Sequence, residues 1–153
     1  MAIRCRQIVL ATAILAAVPV ASLAASTASF GGKTAQKIKV DFRANSTIVS
    51  TLKTSLSVIC ISGYPSTKSD IEIVAVSPKG AAKLRNGNFT FKLPTVSKNA
   101  FTTLTGTIRG HSASGSLKTS YDKTWSVYNP VTGFYDLAVA ACAGHTTWSA
   151  HEK

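Results

Sequence analysis

Between Lys37 and Ala44 the apolar side chains fall on every second residue: Ile38, Val40, Phe42 and Ala44 alternate with Lys39, Asp41 and Arg43. A period of two places one set on a buried face and the other in water, which is the pattern of a half-buried β-strand. The alternation recurs along the chain, and no stretch of any length carries a helical period. Such a chain buries its apolar atoms by packing sheet surfaces against each other.

Turn residues divide the pattern into segments. Asn45-Ser46 precedes a second strand, Thr51–Ile61, in which Leu52, Thr54, Leu56, Val58 and Cys60 share one parity. Ser62–Ser69, with Gly63 and Pro65, reads as a loop. Asp70–Val76 is rich in β-branched residues and is expected as a strand covered on both faces. Ala81–Leu84 fits a short turn of helix or an edge strand. Asn86-Gly87 predicts a two-residue hairpin, because both central positions of a type I′ turn need positive φ. It leads into Phe89, Phe91 and Leu93, with both rings expected inside. Strands are expected next at Thr102–Arg109 and Ser114–Tyr121. Trp125–Tyr128 and Phe134–Val139 flank the Asn129–Gly133 turn, and Thr146–His151 closes the chain with Trp148 and Ala150 facing in. Eight or nine short strands predict an all-β fold, an antiparallel β-sandwich of which a jelly roll is one form, in preference to a closed barrel.

The first 24 residues read as an address. Arg4 and Arg6 precede the apolar run Ile8–Val18, Pro19 breaks it, and Ser22-Leu23-Ala24 offers small residues for cleavage after Ala24. The expected organisation is a secretory signal over 1–24, a flexible lead-in over 25–36 and one β-sandwich domain over 37–153. Losing Arg4 and Arg6 takes the formal charge from +11 to +9. Cys5 leaves with the signal, so Cys60 and Cys142 form the single pairing open to an exported chain. A loop of about 80 residues makes that disulfide worth roughly 4.5 kcal/mol in the chain-entropy model. It is expected to join two facing sheets.

A resemblance adds to this reading. Asn86, Gly87, Phe89 and Phe91, then Leu104, Gly106, Ile108 and Gly110, then Ala113, Ser114, Gly115 and Leu117, and finally Cys142, Thr146, Trp148 and Ala150 occur in an order similar to a group of small secreted all-β proteins abundant in soil actinobacteria. The likeness covers most of Lys37–Ala150. It departs at the aromatic hairpin between Asp122 and Ala141 and at His145, where it implies glycine. These are turn glycines and core aromatics, so the resemblance implies fold and export and carries no catalytic residues over.

Chemistry is sparsely marked. Asp41, Asp70, Glu72, Asp122, Asp136 and Glu152 are too few and scattered to indicate a glycosidase pair. Gly110-His111-Ser112-Ala113-Ser114-Gly115 lacks the spacing of a nucleophile elbow. Cys142 and His145 have no second close pair to complete a zinc site, and neither metal nor cofactor is expected. The lysines alternate outward instead of clustering, which argues for solubility or adhesion to an anionic envelope over nucleic-acid binding. Two functions fit: a secreted non-enzymatic module that binds envelope glycan, anionic polymer or protein, or a small secreted hydrolase with a loop-built site. The candidate ligand site is aromatic. Trp125, Tyr128, Phe134 and Tyr135 crowd the Asn129–Gly133 turn with Tyr121 close by, and outward rings there would form a stacking platform with Lys123 supplying charge.

Overall fold

The alternating segments become nine antiparallel strands in the computed structural model, which describes residues 26–63, 68–93 and 100–153. They are β1 Ala28–Thr34, β2 Lys39–Ala44, β3 Ile48–Ser62, β4 Lys68–Val76, β5 Ala82–Lys83, β6 Asn88–Leu93, β7 Phe101–Arg109, β8 Ser112–Asn129 and β9 Phe134–Glu152. The export signal expected over 1–24 lies outside the described residues. No helix among those described is long and apolar enough to cross a membrane.

All nine strands belong to one sheet, ordered β4-β3-β2-β1-β9-β8-β7-β6, with β5 against β3 and a further pairing of β3 with β9. The sheet curls over its own core. Phe89 of β6 lies far from Phe42 of β2 in strand order, yet the two ring centroids are 6.0 Å apart. The curl is closed by β5, where Val49 pairs with Ala82 and the Arg85–Asn88 bridge leads on into β6. Asn86 and Gly87 both have positive φ, 50° and 77°, as the hairpin reading required. Phe89 and Phe91 are buried beyond that turn. Two expected strand pairs are longer than their sequence segments. Trp125–Tyr128 continues Ser114–Tyr121 within β8, and Phe134–Val139 runs unbroken into Thr146–His151 within β9.

Residues 25–36, expected as a flexible lead-in, instead supply β1, which lies between β2 and β9. Phe30, the segment's one large apolar residue, is buried and stacks on Phe42 with centroids 4.9 Å apart. Small residues around it hid the strand, since Gly31 and Gly32 leave no alternation to detect. The β1–β2 hairpin works as a wedge. β3 and β9 pair directly through Ile59–Ser62 and Ala140–Ala143 and then part, and the hairpin fills the gap. At its tip the Gln36 side-chain amide donates to Ser57 O at 3.2 Å and accepts from Ser57 N at 2.8 Å. Ala35 N donates to Thr147 O at 2.8 Å on the other side. One side chain thus stands in for a strand residue and satisfies backbone groups of β3.

Two further expectations are corrected. β4 is not covered on both faces: it is an edge strand, and Ile71 and Ile73 point into solvent. Cys60 and Cys142 are bonded, with Cα atoms 4.0 Å apart, but they are register partners on neighbouring strands. The disulfide therefore lies within the sheet and does not join two separate ones. Parity placed Cys60 inward, but β3–β9 adjacency depends on pairing between distant parts of the chain.

The core side of the sheet holds Leu52, Leu56, Leu104 and Leu117, fully buried, with Phe30, Phe42, Phe89 and Trp148 as an aromatic cluster. Trp148 needs neighbours without side chains. A Cβ at Gly106 or Gly115 would lie 2.6 or 2.7 Å from its Cζ2 atom. A β-bulge sets the parity of β3: the register shifts between Asp41–Lys53 and Arg43–Ser50, and Thr51 takes φ 50°. The extra residue puts Val49 and Leu52 on one face although they are three apart.

Candidate functional site

The strand registers map the solvent face of the sheet row by row. Asn88, Thr107, Ser114 and Ser149 lie across β6, β7, β8 and β9, and Lys33 and Lys39 extend the row onto β1 and β2. The next row is Thr90, Thr105, Ser116 and Thr147. A third is Lys92, Thr103, Lys118 and His145, and on the other flank Arg109 and Ser112 meet His151. The outcome is a field of hydroxyls bordered by cations. A shallow depression of about 380 Å³ lies in it, lined by Thr107, Arg109, Ser112, Ser114, Ser149 and His151.

Hydrogen bonds hold the field in place. Thr107 Oγ1 donates to Asn88 Oδ1 at 2.7 Å, Thr105 Oγ1 and Ser116 Oγ lie 3.0 Å apart, and Ser112 Oγ lies 3.2 Å from His151 Nδ1. No carboxylate stands in these rows. The chain has no Asp or Glu between Glu72 and Asp122, and none between Asp136 and Glu152. The two acids at the margin are already bonded. Asp41 contacts Lys39 and Lys153 at 2.8 and 2.6 Å, and Glu152 contacts His111 at 2.6 Å. Hydrogen bonding from Lys153 first, then from Lys39, holds the Asp41 carboxyl below its usual range. Asp41 thus neutralises Lys39, while Lys33, Lys92, Lys118 and Arg109 border the field without an ion pair among the described residues.

The sequence signal for this field was present. Thr103, Thr105 and Thr107 share one parity, as do Ser112, Ser114 and Ser116, inside an acid-free stretch. Register was the missing step, because it brings Lys92 and Lys118, spread along the chain, into one row.

In the aromatic hairpin the rings are divided between the two faces of the sheet. Tyr128 and Tyr135 are register partners on the outer face, edge to face with centroids 5.5 Å apart. Trp125 is on the opposite face, half-buried against the core and across from Ala138. Phe134 shares that parity and is exposed, and Lys123, also on that side, is bonded to Glu72. Successive residues of a strand alternate faces, so the structure divides the five residues between two surfaces.

Glu72 has a second partner, the Tyr121 hydroxyl, which donates to it at 3.0 Å. Hydrogen bonds from Lys123, then Tyr121, lower the Glu72 pKa. Burial, then the Glu72 hydrogen bond, raises that of Tyr121. Glu72 also lies near Cys60 and Cys142. Those sulfurs are bonded to each other, which leaves one carboxylate as donor in the single grouping of three metal-ligand types among the described residues. Ser112 and His151 are adjacent, but Glu152 is engaged by His111, so no serine–histidine–acid relay is assembled there. No protein-family model, curated protein or solved structure matches the chain.

Proposed function

We propose that the chain is an exported, non-enzymatic β-domain that binds an anionic, hydroxyl-bearing polymer, such as an acidic envelope glycan, on the outer face of β6–β9. The observation that carries the reading is the acid-free field of serine and threonine hydroxyls bordered by Lys33, Lys92, Lys118 and Arg109. Hydroxyls both donate and accept, which suits the alcohols of a sugar chain, while lysine and arginine answer its carboxylate, sulfate or phosphate groups. The sheet face presents these groups about 4.8 Å apart within a row and about 6.7 Å from one row to the next, a repeating array that suits a repeating polymer better than a compact metabolite.

The test is retention of the purified protein on heparin, polygalacturonate, neutral dextran and duplex DNA at rising salt. Binding to the two acidic polysaccharides is expected, falling as salt shortens the screening length. Lys92→Ala/Lys118→Ala should weaken it at least threefold with the melting temperature unchanged, since both side chains are exposed. Equal retention on dextran, tighter binding to DNA, or no effect of the double substitution would overturn the reading.

A further inference from the structure

The seam where the curled sheet closes is joined at one end. Arg85 and Asn88 exchange backbone hydrogen bonds of 2.9 and 2.8 Å, and beyond that bridge β5 leaves β6 to pair with β3. β6 is last in the sheet order, so past Asn88 its second edge has no strand beside it among the described residues. The backbone groups of successive strand residues point to alternate edges. Those of Asn88 face Arg85, so those of Thr90 and Lys92 point the same way, into the open seam. Two adjoining depressions lie there. One of about 410 Å³ is lined by Lys83, Arg85, Asn88, Phe89 and Thr90, and one of about 530 Å³ by residues within 77–82 and 90–93.

We propose that this seam takes up an extended acidic peptide segment of a partner protein, which adds to β6 as one further strand. Thr90 and Lys92 each offer an N–H and a C=O on the open edge, the pairing surface that strand addition uses. There is room for it. At about 3.4 Å per residue, 4.8 Å between strands and 10 Å between layers, a strand residue fills roughly 160 Å³, so the larger depression holds about three.

Charge selects the partner. Lys79, Lys83, Arg85, Thr90 and Lys92 are exposed around the seam, while Ala82 and Phe91 are buried and Leu93 half-buried. An added strand continues this alternation. Its outward side chains lie beside Lys83 and Lys92, with Lys79 close by, and its inward ones beside Ala82, Phe91 and Leu93. Acidic outward and apolar inward is the complementary pattern. No carboxylate is among the described residues lining either depression, and the chain has none between Glu72 and Asp122. Lysines at a free edge turn away neutral strands and a second copy of the same basic edge, and they attract an acidic one. The site is the edge of β6, and it does not rest on polymer binding at the outer face.

The probe is an acetylated and amidated peptide of alternating glutamate and valine, titrated calorimetrically into the purified protein. Binding is expected, with the Thr90 and Lys92 amides exchanging at least fivefold more slowly in the complex. The same peptide methylated at its backbone nitrogens keeps its charge, loses its donors and should bind at least tenfold more weakly. Lys79→Glu/Lys83→Glu should also cost at least tenfold with the melting temperature unchanged, since both side chains are exposed. Lys118→Ala, on the polymer face, should leave the peptide affinity unchanged, so either reading can fail alone. No binding at about 1 mM peptide, equal binding of the methylated peptide, or unaltered affinity in the charge-reversed variant would overturn the proposal. So would a loss on Lys118→Ala as large as on charge reversal, or Thr90 and Lys92 amides already protected in the free protein.

Discussion

Glu72, Tyr121 and Lys123 form a small network on the core side of β4 and β8. Because the folded state lowers the carboxyl pKa of Glu72, and of Asp41 at the other end of the sheet, each contributes stability above the ordinary carboxylate range. That contribution is lost as pH falls through the lowered value. Glu72→Gln should therefore flatten the acid limb of the stability–pH curve, as read from melting temperature between pH 2 and 7. Tyr121 has the opposite sign. Its raised pKa gives stability below the ordinary phenol range that is lost as pH climbs through the raised value. In Glu72→Gln the Tyr121 titration, followed by ultraviolet absorbance, should move down only part of the way, since burial is the larger cause and stays. At this scale much was readable in the sequence: inward parity put Phe89, Phe91 and Trp148 in the core. The positive φ of Thr51 was not, because it answers a bulge created by pairing with β2.

Among the elements, the β1–β2 hairpin depends on its tip. Gln36→Ala removes two hydrogen bonds and leaves the N–H and C=O of Ser57 without those partners on that edge. A loss of about 1–2 kcal/mol is expected in urea denaturation, and the Ser57 amide should exchange faster with solvent. An unchanged Ser57 protection factor would show that β3 holds its conformation without the wedge. The hairpin illustrates why residues 25–36 misled. Phe30 is an ordinary strand residue, but its glycine and serine neighbours have no side-chain pattern, and their extended form is imposed by β2 and β9 on either side. The long β8–β9 ladder raises the same difficulty in reverse. Its turn and its alternation were legible, whereas the faces its aromatics meet are decided by what covers each side of the sheet.

For the whole molecule, the Cys60–Cys142 bond closes a separation of 82 residues between strands that also pair through their backbones. Replacing both cysteines by alanine should cost about 4 kcal/mol, read as a lower urea midpoint with a larger denaturant slope as the unfolded chain expands. A loss below about 1 kcal/mol would mean that backbone pairing already restricts that loop in the unfolded state. The all-β class, the strand parity and the Asn86-Gly87 turn were settled by local pattern, because a period of two and a positive-φ turn are properties of neighbouring residues. Strand order, the wedge of β1–β2, the curl that sets Phe89 on Phe42 and the assembly of the outer hydroxyls and cations into one field were decided by tertiary structure. Each depends on which distant strands become neighbours and in what register, and period-two alternation is satisfied equally well by many pairings.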